Sequence, residues 1–362
     1  MQVTIVGLPG SGKTTVFNAL TGAQADTGGF SGGRAAPNVG VVKVPDERLD
    51  RLAAIFTPRK TTPADVTYVD VAIPAGAARE GTVNPDHLAL IRNADALLHV
   101  ARAFEGGGGA PDPWHDVDEL DLEFAIADLG VIEKRLEKLR TSGRHGSPAE
   151  REANAQEEEL LARLEPELSA GHPLRAVQLS DDDELRLRGY RFLTQKPVLV
   201  VLNIDEGQLA AAGELEVAGR ARYAQPQSDV AALGGKIEAE LAQLSTDDAA
   251  LFMEDLGISE PSRGRVIRLT YALLGLFSFF TAGPDECRAW TLRSGASAVD
   301  AAGAIHTDLA RGFIRAEVVT FDDLVASGSM AEARKRGLLR SEGRTYAVRD
   351  GDVIEVLFNV AR

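Results

Sequence analysis

The chain has 362 residues, 44% of them hydrophobic, with a formal net charge of −15 and one cysteine, Cys287. Such a length and apolar content favour two or three domains with real cores, and the acidity excludes a general nucleic-acid-binding surface. A lone cysteine excludes an intrachain disulfide and fits a reducing, cytoplasmic setting.

The first predicted element is a buried strand at 2–6, QVTIV, with no signal segment expected ahead of it. The loop that follows reads Gly7-x-x-x-x-Gly12-Lys13-Thr14, and residues 13–20 carry apolar side chains at helical spacing. Glycines let successive backbone N–H groups curl toward one point, and the helix N-terminus favours negative charge at the same point. Gly7, Pro9, Gly10, Ser11, Gly12, Lys13, Thr14 and Thr15 are therefore phosphate-binding candidates for a nucleoside triphosphate. Lys13 reaches the β- and γ-phosphates, and the Thr14 hydroxyl suits Mg²⁺.

Further apolar runs are VGVVKV, VTYVDVA, ALLHVA and PVLVVLN, with helical segments between them. That alternation predicts an α/β fold, a mostly parallel sheet with helices on both faces. Asp70, at the end of VTYVDVA, is the second acid that a P-loop protein needs for Mg²⁺. Some 95 residues separate the last two runs, too many for one crossover. Leu129, Ile132, Leu136 and Leu139 repeat there at helical spacing, as do Leu161, Leu164 and Leu168. The turn signal TSGRHGSP at 141–148 joins the two sets into an antiparallel helical hairpin.

Asn203 ends the strand PVLVVLN within NIDE, where its carboxamide suits a purine edge. Guanine readers carry Asn-Lys-x-Asp at such a place; here Ile204 replaces the Lys and Glu206 the Asp, so ATP and GTP both stay open as ligands. The stretch 269–283, LTYALLGLFSFFTAG, is too short and mixed to span a membrane. Beyond residue 280 the pattern predicts a small mixed α/β domain. Residues 278–362 hold 11 Lys/Arg and 12 Asp/Glu, so the acidity lies elsewhere in the chain.

In its motifs the chain resembles the YchF/Obg-like ATPase family, within the translation-factor class of P-loop NTPases. The matching stretches are GLPGSGKTTVFNALTG, APNVGVVKVPDERLDRL, YVDVA, LIRNADALLHVARAFE, VLNIDEG, FMEDLGISEPSRGRVIRLTYALLGLFSFFTAG, RAWTLRSGASAVDAAGAIHTDLARGFIRAEVVTFDDL and DGDVIEVLFNV. They run in family order over nearly the whole chain. The resemblance implies a P-loop G domain at 1–128 and 196–277, an inserted helical hairpin at 129–195, and a β-grasp-like TGS domain at 278–362. It also implies ATP preference, a cytoplasmic setting, and association with the ribosome, a ribosomal subunit or translation factors; the near-neutral charge of 278–362 makes this TGS domain the expected place for contact with rRNA or tRNA-like RNA, and Mg²⁺ is the expected ion at Thr14 and Asp70. Gly234 and Gly235 fall where the family supports the base.

The departures cluster at the chemistry. Gly10 stands where the family has an Asn that helps bind potassium. Arg34 matches the Mg²⁺-binding Thr of the first switch, and arginine pairs with phosphate but cannot ligate Mg²⁺. In the second switch Ile73 replaces a glycine, and Pro74 occupies the catalytic position with neither side-chain chemistry nor a donor. The loop that carries the family's catalytic His is shortened to EGGGGAPDPW, with His115 just past it. No catalytic residue is assigned. Three functions share the site: a slow, ATP-preferring NTPase on the ribosome, a nucleotide-gated adaptor with little or no hydrolysis, and a GTP-specific GTPase. His99 and Trp290 read as core residues and His306 as a helix cap or partner contact. The basic group Arg334, Lys335, Arg336, Arg340 and Arg344 reads as a solvated face or an RNA contact.

Overall fold

The computed structural model describes residues 1–27, 37–71, 85–106, 109–142, 146–258 and 261–359. These form two compact units, residues 1–41 with 67–266, and residues 42–66 with 267–362. The strands, in chain order, are β1 (Gln2–Val6), β2 (Asn38–Lys43), β3 (Lys60–Thr62), β4 (Asp65–Asp70), β5 (Ala96–Arg102), β6 (Val198–Asn203), β7 (Ser228–Leu233), β8 (Leu276–Ala282), β9 (Glu286–Arg293), β10 (Phe313–Thr320), β11 (Arg340–Glu342) and β12 (Asp352–Phe358).

The first sheet has the order β2-β4-β1-β5-β6-β7. β1 runs parallel to β4 and β5, β5 to β6, and β6 to β7. This is the expected parallel sheet, and its reason is visible in β6, where all six residues are buried. A parallel strand covered on both faces must be apolar on both. The chain leaves β1 toward β4 on one side and reaches β5 on the other. The carboxyl ends of these strands therefore open a crevice at the switch point.

Helix Pro113–Ser142 is 30 residues long, roughly 45 Å at 1.5 Å per residue. Its first half sends Val117, Leu120 and Phe124 into the core around β5 and β6. Its second half joins Ile132, Leu136 and Leu139 to Leu161, Leu164 and Leu168 of helix Pro148–Ser169 in a separate core. The expected hairpin is thus present, but the boundary at 129 falls inside a continuous helix. Polar staples fasten its base. Arg92 pairs with the buried Asp128 at 3.0 Å, and the Thr194 hydroxyl donates to the same carboxylate at 2.9 Å. Arg175 donates to the Tyr223 hydroxyl at 2.6 Å, which donates to Asp121 at 2.6 Å.

The second sheet has the order β11-β10-β12-β8-β9-β3. β8 and β9 form an antiparallel hairpin, helix Ala298–Ile305 follows, and β12 lies parallel to β8. That is the expected β-grasp arrangement. The core packs Phe279 against Trp290, whose Nε1 donates to Thr281 at 3.0 Å. His306 caps helix Thr307–Arg311, its Nδ1 accepting from the Asp308 N–H at 3.2 Å. Cys287 is buried, and burial pushes its thiol up.

The unit differs from the 278–362 expectation at its start and in what it recruits. It begins at 267 and takes in residues 42–66. β3 pairs parallel with β9 and extends the sheet edge. Helix Glu47–Phe56 buries Leu49 and Leu52, and Arg48 bridges Asp46 and Asp350 while lying over the Phe280 ring. Among the described residues no helix is long and apolar enough to cross a membrane.

Residues 267–362 expressed alone should therefore lack a cooperative thermal transition by circular dichroism, and linkage to residues 42–66 should restore it. In the full chain Leu52→Ala should cost about 2–5 kcal/mol, the range for emptying a buried leucine site. A sharp melt of 267–362 by itself would sink this account.

Candidate functional site

The loop between β1 and helix Lys13–Thr21 lies at the switch-point crevice. Two of its glycines are required by geometry. Gly7 has φ +155°, and a Cβ there would stand 2.4 Å from the Val100 carbonyl oxygen. Gly12 has φ +86°, and a Cβ there would stand 2.2 Å from Asn203 Nδ2. Glycine at these positions lets the turn curl its backbone N–H groups toward one point, though the Ser11 N–H donates to the Leu8 carbonyl at 3.2 Å. Gly10 has open space around its Cβ position, so the fourth loop position offers no side-chain ligand.

Lys13 donates from Nζ to the Leu8 carbonyl at 2.9 Å. Burial pushes its ammonium down to about 8, with the Asp70 carboxylate pulling the other way. The Thr14 hydroxyl donates to Asp70 Oδ2 at 2.8 Å, and Asn38 Nδ2 donates to the same oxygen at 3.3 Å. The two expected Mg²⁺ residues, 56 positions apart in sequence, are thus in direct contact. A hydroxyl and a carboxylate are hard oxygen donors of the kind Mg²⁺ prefers. Among the described residues no three His, Cys, Asp or Glu side chains gather as a metal cage. Thr14 and Asp70 are therefore the residues that could hold such an ion.

Asn203 is 4% exposed, and its carboxamide works within the protein. Nδ2 donates to the Ser11 carbonyl at 3.0 Å, and Oδ1 accepts from the Gly235 N–H at 3.1 Å. One donor and one acceptor direction of the amide remain. Gly235, expected to lend its N–H to the base, lends it to Asn203 instead. A Cβ at Gly234 would stand 2.9 Å from the Leu209 side chain. Ile204 is buried, and Glu206 is exposed at the start of the turn Glu206–Ala211.

Arg34, Ile73 and Pro74 lie outside the described residues. Of the shortened glycine loop, Gly106 and Gly109 are described, and Arg102 Nη1 binds their carbonyls at 2.7 and 3.4 Å. His115 sits in the first turn of helix Pro113–Ser142 with a side chain 72% exposed, 3.9 Å from Glu119. His99 lies in β5 as expected, yet its Nε2 meets no partner. Burial pushes its imidazole down to about 3, with the Arg175 and Lys13 charges adding to the effect, so it is neutral at physiological pH.

Phe104 was hidden from sequence reasoning within VARAFE. Its ring edge stands 3.6 Å from the Cβ position of Gly12, beside Asn203. An aromatic residue two positions past β5 was the only available signal.

Two family profiles match the chain. That of a 50S ribosome-binding GTPase covers residues 2–135, and that of the YchF GTPase C-terminal domain, described as a protein of unknown function, covers residues 276–359. The chain is 39% identical over 365 residues to the ribosome-binding ATPase YchF of Bacillus subtilis, covering 98% of each. It is 38% identical over 362 residues to the protein of that name from Escherichia coli O157:H7, again covering 98% of each. A solved structure, described as the Schizosaccharomyces pombe YchF GTPase, superposes with a TM-score of 0.84 at 27% identity, over 99% of this chain and 97% of that one.

Asn203→Asp should place a carboxylate against the Ser11 carbonyl. It should cost about 1–3 kcal/mol in chemical denaturation, as for a buried acceptor left without a donor, and weaken nucleotide binding. Equal stability and affinity would refute the clamp. The Lys13 ammonium gives a second test. With its pKa lowered, it sheds its proton as pH rises through about 8, whereas the unfolded chain keeps it to about 10.5. Its burial penalty is thus fully present below 8 and is relieved above it. A bound triphosphate restores the charge, so titration calorimetry in buffers of different ionisation heat should show proton uptake at about pH 9 and little at about pH 7. No uptake at the higher pH would remove Lys13 from the phosphate site.

Proposed function

The chain belongs to the YchF family of P-loop nucleoside triphosphatases, and from that premise we propose that it binds ATP in preference to GTP, hydrolyses it slowly, and associates with the ribosome in the cytoplasm. The observation that carries the nucleotide reading is the Thr14–Asp70 contact beside Lys13 in a glycine nest. Mg²⁺ would rest on Thr14 and Asp70 with phosphate oxygens, and when bound it neutralises phosphate charge. Lys13 would swing from the Leu8 carbonyl to the phosphates, and backbone N–H groups between Gly7 and Thr15 would hold their oxygens.

The base preference is supported by the loop after β6. Ile204, buried and apolar, stands where guanine readers place a lysine. Asn203 keeps a donor and an acceptor for an adenine edge, and Phe104 offers a flat wall beside it. Glu206 is the one group that would accept from guanine as an aspartate does, which keeps the GTPase alternative alive. Slow turnover is supported by Pro74, which cannot orient water, and by His115, whose exposed ring lies near Glu119. Potassium insensitivity is supported by Gly10.

Ribosome association rests on the names of the relatives. We propose that three parts serve it, with the hairpin acting as a module on its own core and residues 267–362 as a TGS domain completed by 42–66. RNA contact through the C-terminal basic group has weaker support. Arg334 pairs with Glu317, Lys335 and Arg336 with Glu332, and Arg340 with Glu342.

Lys13→Ala should abolish binding of an ATP analogue in calorimetry while leaving the fold intact. In competition binding ATP should displace a fluorescent analogue at lower concentration than GTP. Single-turnover hydrolysis should be slow and equal with or without potassium, since lost water positioning costs orders of magnitude. A GTP preference, or a fast potassium-stimulated rate, would replace this reading with the GTPase or with an uneroded enzyme.

A further inference from the structure

We propose that an arginine pocket at the base of the helical insertion is a phosphate site, through which the protein holds the backbone of ribosomal RNA. The proposal rests on the ribosome-association reading above. Helix Pro85–Asn93 ends in Arg92 and Asn93, and the turn after helix Asp181–Leu187 carries Arg188, Tyr190 and Arg191. Together with Leu185 they line an open pocket of about 700 Å³, and among the described residues no Asp or Glu lies in its lining. Both segments lead into the amino ends of β5 and β6. The pocket is therefore at the end of the sheet opposite the nucleotide crevice and belongs to a different site.

Its cations are arranged before any ligand arrives. Arg92 is fixed by Asp128 at 3.0 Å and by the Arg191 carbonyl at 3.2 Å. Arg191 adopts φ +53°, a conformation that non-glycine residues avoid, and donates to Asn93 Oδ1. Arg188 forms no ion pair or side-chain hydrogen bond among the described residues, so its full charge faces solvent. The neighbouring Lys196 registers the crowding. Burial pushes its ammonium down to about 8, and the charges of Arg92 and Arg191 add to that push against Asp95 and Asp128.

An acidic protein repels RNA over most of its surface, so contact falls where cations are unpaired. In the C-terminal basic group Arg334, Lys335, Arg336 and Arg340 are paired with acids, whereas in this pocket only Arg92 is, and Arg188 and Arg191 form no ion pair among the described residues. Guanidinium forks match phosphate oxygens bidentately, and the 68%-exposed Leu185 with Tyr190 gives an apolar surface for a ribose. A peptide carboxylate would meet the same forks, but RNA presents phosphates at a regular spacing along one strand, which suits two neighbouring guanidiniums, Arg188 and Arg191, better.

The test uses the full chain as wild type, Arg188→Glu/Arg191→Glu, and the milder Arg188→Ala should the double variant fold poorly. Co-sedimentation with ribosomes and fluorescence anisotropy with a short RNA duplex are each run over a salt series. The double variant should lose about tenfold or more in both, and its slope of log affinity against log salt should fall by about 2, one unit per lost phosphate contact. Arg188→Ala should lower the slope by about 1. ATP-analogue binding should be unchanged in both variants. Wild-type affinity and slope in the variants would overturn the proposal. Loss of ribosome binding with unchanged duplex binding would also overturn it and assign the pocket to an acidic ribosomal protein. Duplex binding that depends on the pocket, in a wild type that ignores ribosomes, would uphold the phosphate site and end the ribosome reading.

Discussion

One amide holds the nucleotide crevice together. β1 and β6 are not neighbours, because β5 lies between them. Their loops are nevertheless joined, since Asn203 at the end of β6 donates to Ser11 in the loop after β1 and accepts from Gly235 in the loop after β7. Gly12 completes the fit, for the space where its Cβ would stand is filled by the Asn203 amide. The phosphate loop, the base loop and the last loop of the crevice thus share one buried hydrogen-bonded joint. A displacement of any one must strain the other two, since a buried amide without partners costs about 1–3 kcal/mol. On the proposed reading, phosphate occupancy and base geometry would be coupled through this side chain.

The same economy of buried polar groups governs the helical insertion. A 30-residue helix entering one core and leaving through another has no apolar reason to hold a fixed direction where the cores part. Asp128 and Asp121 sit at that junction. Burial raises both carboxyls, while Arg92 and Arg175 oppose the rise. Removing one partner of such a pair leaves a buried charge uncompensated, a loss of about 3–5 kcal/mol. These pairs specify the junction more than they stabilise it. Glu216, which holds the Ala232 N–H and Arg265, does similar work beside β7.

The parallel strands were legible because each is a short apolar run that only two-sided burial permits. The hairpin was legible because its leucines recur at three and four residues. The allegiance of residues 42–66 was not. PDERLDRLAAIF is an amphipathic helix wherever its apolar face goes, and its partners, the core that buries Leu49 and Leu52 and the Asp350 that pairs with Arg48, lie more than 200 residues away in sequence. The continuity of helix Pro113–Ser142 through residue 129 was not legible, because its two halves face different cores and their apolar spacings do not join in one register. At the site, residue type was legible and role was not. Asn203 has the right groups for a purine, and those same groups bind a carbonyl and an N–H of the protein. The basic group at 334–344 reads as a cationic patch until its folded neighbours Glu317, Glu332 and Glu342 are seen.

On the proposed reading, Lys13 contributes to holding a nucleotide. Its ammonium is buried, bonded to one carbonyl, and depressed toward 8 by desolvation. A triphosphate would add counter-charge to that of Asp70 and so relieve the cost of burying the ammonium. Hydrolysis asks for something different, a group that orients water against the terminal phosphate, and the sequence offers Pro74 where that group would stand. On the proposed reading, selection on such a chain acts on occupancy. The bound nucleotide sets the Asn203 joint, and slow turnover fixes how long that setting lasts.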